Sequence, residues 1–149
     1  MRFEGGSGGE FPELHDGEPS STRWPLDWRG LYPRERWLWF EQLWLDVCSL
    51  RERYALAVRS GWWRDSIQVE ALAALAAWVD RYDSGEWDDP PGKLALLCEL
   101  ERIAVMLRDG GEPFHPDRDR VAFRSYLAEV GAQPPPHPGA QPPPPAGAR

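Results

Sequence analysis

The sequence predicts an all-α protein, a small four-helix bundle with an aromatic N-terminal arm and disordered ends. Three observations lead there. Apolar residues recur at spacings of three and four in four separate stretches, with no period-two alternation of the kind strands show. Gly, Pro or Asp punctuates the gaps between those stretches. Both ends lack the composition for a core: residues 1–22 hold five glycines and few large apolar groups, and residues 132–149 are nearly all Pro, Gly, Ala and Gln. Ordering such segments costs ~1–2 kcal/mol of backbone entropy per residue, with little apolar burial to offset it. In this chain of 149 residues, one domain is expected over residues 23–131, between disordered ends at 1–22 and 132–149.

Residues 24–33 carry Trp24, Trp28, Leu31 and Tyr32 among Pro25, Gly30 and Pro33. The prolines and glycine forbid a regular helix, while the aromatic rings still favour burial. This arm is expected to lie across the helices that follow. The first helix is expected from Arg34 to Ser60, with Phe40, Leu43, Val47, Leu50, Tyr54 and Ala57 on one face, Pro33 at its start and Gly61 at its end. The second runs from Asp65 to Asp83 on Leu72, Leu75, Val79 and Tyr82, with Asp65 or Ser66 as cap. Asp89 followed by Pro90 opens the third, which presents Leu96, Leu100, Ile103 and Leu107 and runs to Arg108. The fourth covers Asp117 to Val130 around Phe123 and Leu127. Short connections imply mainly antiparallel neighbours.

The net charge of −7 is spread along the chain and argues against general binding to nucleic acid or acidic membranes, which needs a basic footprint. Lys93 is the single lysine among 17 basic residues, a bias suggesting GC-rich coding. Cys48 and Cys98 both sit in helical apolar patterns and read as free, buried thiols. No apolar run follows Met1, and the longest such run, Ala71 to Val79, is too short to cross a bilayer. A cytoplasmic protein without a membrane partner is expected.

The sharpest local feature is the run Trp37, Leu38, Trp39, Phe40. Consecutive helical residues step about 100°, so one buried face cannot cover all four. Leu38, Leu45 and Leu56 lie nearly opposite Phe40 and Val47, giving the helix a second apolar stripe. Either the aromatic arm covers it, or Leu38, Trp39, Leu45 and Leu56 form a surface for a partner or a second copy. In the third helix, Leu94, Cys98 and Val105 likewise lie off the main face. Arg51 projects from an apolar stripe and must snorkel or pair with Glu70, Glu99 or Glu101.

Arg59, Trp62, Trp63 and Arg64 mix bases with aromatics at a turn, a combination that can stack on nucleic-acid bases but also plugs the end of a bundle. Arg118, Arg120 and Arg124 form a second basic cluster, interrupted by Asp117 and Asp119, as a solvated face would be. His115 has no second histidine or cysteine nearby, so no metal is expected, and it reads as a helix start with Pro116. Glu86, Asp88 and Asp89 read as a capping loop rather than an acid/base pair. No Gly-rich phosphate loop precedes a helix, and no cofactor is expected. The prolines from Pro134 to Pro145 favour an extended spacer.

Trp62 and Trp63, followed by Val69, Glu70, Ala71, Leu72 and Trp78, resemble a family of actinobacterial proteins of unknown function associated with mobile or integrated elements. The resemblance runs from Tyr54 to Phe114 and includes Gly111, Glu112, Pro113 and Phe114; the chain departs from it in the Trp87 loop and the fourth helix. It implies a small helical domain from a GC-rich bacterium and assigns no catalytic or binding residue. The expected function is a non-enzymatic protein-interaction module acting on a protein partner or as a homo-oligomer. The alternative is an accessory nucleic-acid-binding protein of a mobile element.

Overall fold

The structure, a computed structural model, describes residues 25–136. Trp24, the N-terminal segment and most of the Pro-rich segment expected to be disordered lie outside the described residues. Four helices pack together and no strand occurs among the described residues: α1 (Pro33–Tyr54), α2 (Ser66–Asp83), α3 (Pro90–Leu107) and α4 (Pro116–Glu129). A single 3-10 turn, Trp62–Arg64, precedes α2.

Pro33 opens α1, where its missing N–H costs nothing, and Glu35 accepts the Tyr32 N–H at 3.2 Å. The helix buries Trp39, Phe40, Leu43, Trp44, Val47 and Leu50. It ends at Tyr54, six residues before the expected Ser60, because Ala55 adopts the left-handed conformation with φ 54°. Beyond it the backbone is extended. Leu56 and Val58 are buried while Ala55 and Ala57 face solvent, so this stretch has the period-two pattern of a strand. Phe114 N–H donates to Val58 O at 2.9 Å and Ser60 N–H to Glu112 O at 2.8 Å, around an isolated bridge between Arg59 and Pro113.

This strap explains a departure from the expected topology. α1 and α2 run parallel, with residues about thirty apart facing each other. Arg53 and Asp83, each in the last turn of its helix, pair at 2.7 Å. Leu50 and Val79 line one groove between the helices, and Leu43 and Ala73 line another. The chain must therefore travel back about 27 Å between Tyr54 and Ser66. Residues 56–59 cover much of it because extended backbone reaches about 3.3 Å per residue, whereas a helix would advance only about 1.5 Å, and the 3-10 turn Trp62–Arg64 completes the return to α2.

The other neighbours are antiparallel, as expected. α3 returns along α2 after the loop at 84–89, and α4 runs against α1, so the helices lie in the order α3, α2, α1, α4. Asp65 caps α2 by accepting from Ile67 and Gln68 N–H at 2.9 and 3.3 Å. Asp89 caps α3 through Gly92 N–H at 2.8 Å and also accepts from Tyr82 Oη at 3.0 Å. A Cβ at Gly92 would overlap both the Tyr82 hydroxyl and the Asp89 carboxylate. That close approach accounts for a glycine inside the first turn of a helix.

Trp44 is the hub of the core. Its ring lies 4.5 Å from Phe123, 4.9 Å from Phe114, 6.0 Å from Trp63 and 6.4 Å from Trp62, joining α1 to α4, to the segment that pairs with the strap, and to the 3-10 turn. The Arg120 guanidinium covers the Trp44 ring at 4.9 Å and pairs with Glu41. Arg36 ties both ends of the described chain to this core. It donates to Val130 O at 2.6 Å, Arg29 O at 3.0 Å and Leu31 O at 3.1 Å, and lies over Trp28 at 5.2 Å. Ala132 is buried and Gln133 N–H donates to Pro33 O at 2.9 Å, so the packed chain extends past the expected boundary at Gly131.

Candidate interaction surface

The structure separates the residues expected to form a partner surface on α1. Trp39 is buried, with its Nε1 donating to Pro25 O at 2.6 Å, and Leu56 is buried in the strap rather than carried on the helix. Both expectations of exposure are corrected. Leu38 and Leu45 are 44% and 61% exposed. The arm is the reason for this division. Trp28 packs on Phe40 at 5.0 Å, and Arg29 anchors the arm to α2 through Glu70 at 3.0 Å and Ser66 at 3.2 Å. The arm thus fills the side of α1 facing α2 and leaves the opposite side open. Between the two open leucines stands Glu41, held by Arg120 and Arg124 of α4.

The candidate nucleic-acid patch is corrected more fully. Trp62 and Trp63 are 1% and 2% exposed and belong to the cluster around Trp44. Neither ring is open to a base. Arg64 pairs with Glu129 through two contacts of 3.2 and 3.3 Å and lies over Tyr126, while Arg59 donates to Arg108 O at 3.2 Å. The aromatic residues plug the bundle, and the arginines tie its surface together. Of the two outcomes expected for Arg51, a snorkelled side chain or a carboxylate pair, no pair with Glu70, Glu99 or Glu101 is present among the described residues, and the guanidinium lies over the Phe114 ring at 5.7 Å.

Asp119 is the one buried charged residue among those described. Burial opposes its ionisation, but Arg118, the His115 N–H and Ser60 all bond to the carboxylate and together hold it below the usual aspartate range. It secures the first turn of α4, where His115 occupies the cap position. Cys48 is half-buried, and burial pushes its thiol up; Cys98, expected to be buried, is exposed. Among the described residues no group of three His, Cys, Asp or Glu is placed to hold a metal ion, and no helix is long and apolar enough to cross a membrane.

The largest run of open apolar side chains lies on α3. This helix buries Leu96, Leu100 and Leu107 against the bundle and packs chiefly on α2. Its opposite side presents Leu94, 64% exposed, and Val105, 55% exposed, with Leu97 and Cys98 between them and Met106 at the edge. Positions 94, 98, 101 and 105 are spaced by four, three and four residues, which places them on one line. That same spacing is present in the sequence. Leu94, Cys98 and Val105 stand out there, whereas Leu97 and Met106 are absorbed by the general apolarity of the helix.

Scans of family models, of curated proteins and of solved structures find no match to this chain.

Proposed function

We propose that this chain is a non-enzymatic protein-interaction module whose docking surface is the outer face of α3. The observation that carries the reading is that α3 is apolar on two sides and buries one of them. Leu94, Cys98 and Val105 are open to solvent along a straight line, opposite Leu96, Leu100 and Leu107. A helix apolar on both sides is ordinarily covered on both sides. Leu38 and Leu45 form a smaller patch on α1.

No observation favours the nucleic-acid alternative, since its two tryptophans are core residues and Arg64 is paired. The test is recovery of a partner from extract of the native host, using the tagged chain and a Leu94→Glu/Val105→Glu variant shown to be folded by circular dichroism. Loss of the partner with the variant supports the reading. Equal recovery by both proteins counts against it.

A further inference from the structure

The aromatic arm points along the groove between α1 and α2. From Tyr32 at the head of α1, the chain runs back beside that helix. Trp28 packs on Phe40 at 5.0 Å, Pro25 O accepts from Trp39 Nε1 at 2.6 Å, and Pro25 and Leu26 border a recess with Leu43 and Asp46. The described residues begin there, on a path towards the C-terminal end of α1. Ahead lies a groove of about 190 Å³ between Asp46, Ser49 and Leu50 of α1 and Val79, Asp80 and Asp83 of α2. Asp46 borders both the recess and the groove, so the second continues the first.

The walls of this groove carry three carboxylates and no cation. Arg53 reaches Asp83 at the last turns of the two helices, and Gln42 donates to Asp46 at 3.1 Å. Asp46 and Asp80 are half-buried on facing helices, so a cation between them would interact with both where water screens less than in the open. The sequence supplies a cation at that point. Arg23 stands two residues before Pro25, and the next arginine or lysine towards the start is Arg2, with Glu10, Glu13, Asp16 and Glu18 between them. The reach fits as well. From Leu43 to Leu50, α1 rises about 10 Å. Two extended residues span about 7 Å before the long arginine side chain is added. Pro25 favours an extended backbone at the residue before it, which keeps the chain on that path.

We propose that the acidic groove between α1 and α2 is the seat of the chain's own Arg23, which lies outside the described residues, and that its guanidinium bridges Asp46 and Asp80. The contact needs no large interface, because Pro25 already holds Arg23 beside the groove at a high effective concentration. Arg23 fastens the outer end of the arm, beyond the hold of Arg29 on Glu70 at 3.0 Å, and closes the groove to basic side chains of other proteins.

The test is limited trypsin digestion of the full chain, followed by intact mass. Trypsin must take the Arg23 side chain into its own pocket, so a docked guanidinium is protected. Cleavage after Arg23 is expected to be at least about fivefold faster in Asp46→Asn/Asp80→Asn than in the parent, with cleavage after Arg36, a gauge of global opening, unchanged. Equal rates after Arg23 in the two proteins overturn the proposal. Protection that disappears on dilution of the parent overturns it in favour of an arginine from a second copy. Should cleavage after Arg36 also rise, urea midpoints decide. Arg23→Gln and Asp46→Asn/Asp80→Asn each lower the midpoint, and their combination is expected to lower it no further. Additive losses overturn the contact.

Discussion

The ring of Trp44 lies 4.5 Å from that of Phe123, tilted by 37°, and this contact joins α1 to α4 at the centre of the molecule. Phe114, Trp62 and Trp63 surround the same indole, so its removal leaves a void bordered by rigid rings that cannot collapse into it. Trp44→Ala is expected to cost about 3–5 kcal/mol, read as the shift of a urea unfolding curve. Trp44→Phe should cost clearly less. A loss below about 1 kcal/mol for the alanine variant would mean that Trp44 is not the hub.

Arg36 is expected to be irreplaceable by lysine. Its guanidinium serves three carbonyls, on Arg29, Leu31 and Val130, which one ammonium on a different stem cannot reproduce. Arg36→Lys should destabilise the fold by about 1–3 kcal/mol and speed amide hydrogen exchange at Leu31, whose N–H donates to Trp28 O at 3.1 Å. Unchanged exchange there would show that the arm holds its place without Arg36.

Ala55→Gly is expected to stabilise. Ala55 has a φ of 54° at the end of α1, a conformation that costs an L-residue with a Cβ about 1–2 kcal/mol and glycine very little. The gain should be about 0.5–1 kcal/mol after the added freedom of the unfolded chain is subtracted. A thermal midpoint that falls on this substitution would count against the left-handed turn.

Asp119 gives the fold an acid-sensitive point. Its pKa is depressed in the folded chain, because the bonds from Arg118, His115 N–H and Ser60 outweigh its burial. Stability from this group is therefore fully present above the ordinary aspartate value of ~3.9 and is lost as the pH falls through the lower folded value. Asp119→Asn should be less stable than the parent by about 1–3 kcal/mol near neutral pH, with the gap closing as the pH falls below the ordinary aspartate range. A gap that stays constant with pH would show that the charge plays no part.

Much of the bundle was legible in the sequence because helix signals are local. The starts at Pro33, Asp65, Asp89 and Pro116 follow from caps and prolines, and the buried faces of α2 and α3 follow from spacing. The end of α1 was not legible. Leu50, Tyr54 and Ala57 continue the spacing of three and four, which hides the alternation of Leu56 and Val58. No glycine marks the left-handed turn at Ala55. The parallel pairing of α1 with α2 was lost with it, since only an extended stretch after Ala55 permits that direction. Trp62 and Trp63 show the limit for surfaces. A basic, aromatic run has the same composition whether its rings face a ligand or Trp44, and contacts distant in sequence decide which.

The ends of the described chain meet α1 close together, Gln133 at Pro33 and Pro25 at Trp39, both within its first two turns. The molecule is close to a ring that lacks a closing peptide bond. A short linker should therefore be able to join the two ends and allow new termini in the 84–89 loop, or let the whole bundle be spliced into a surface turn of another protein. Whatever is fused directly to the described ends will start beside the first turns of α1, with α2 between it and α3.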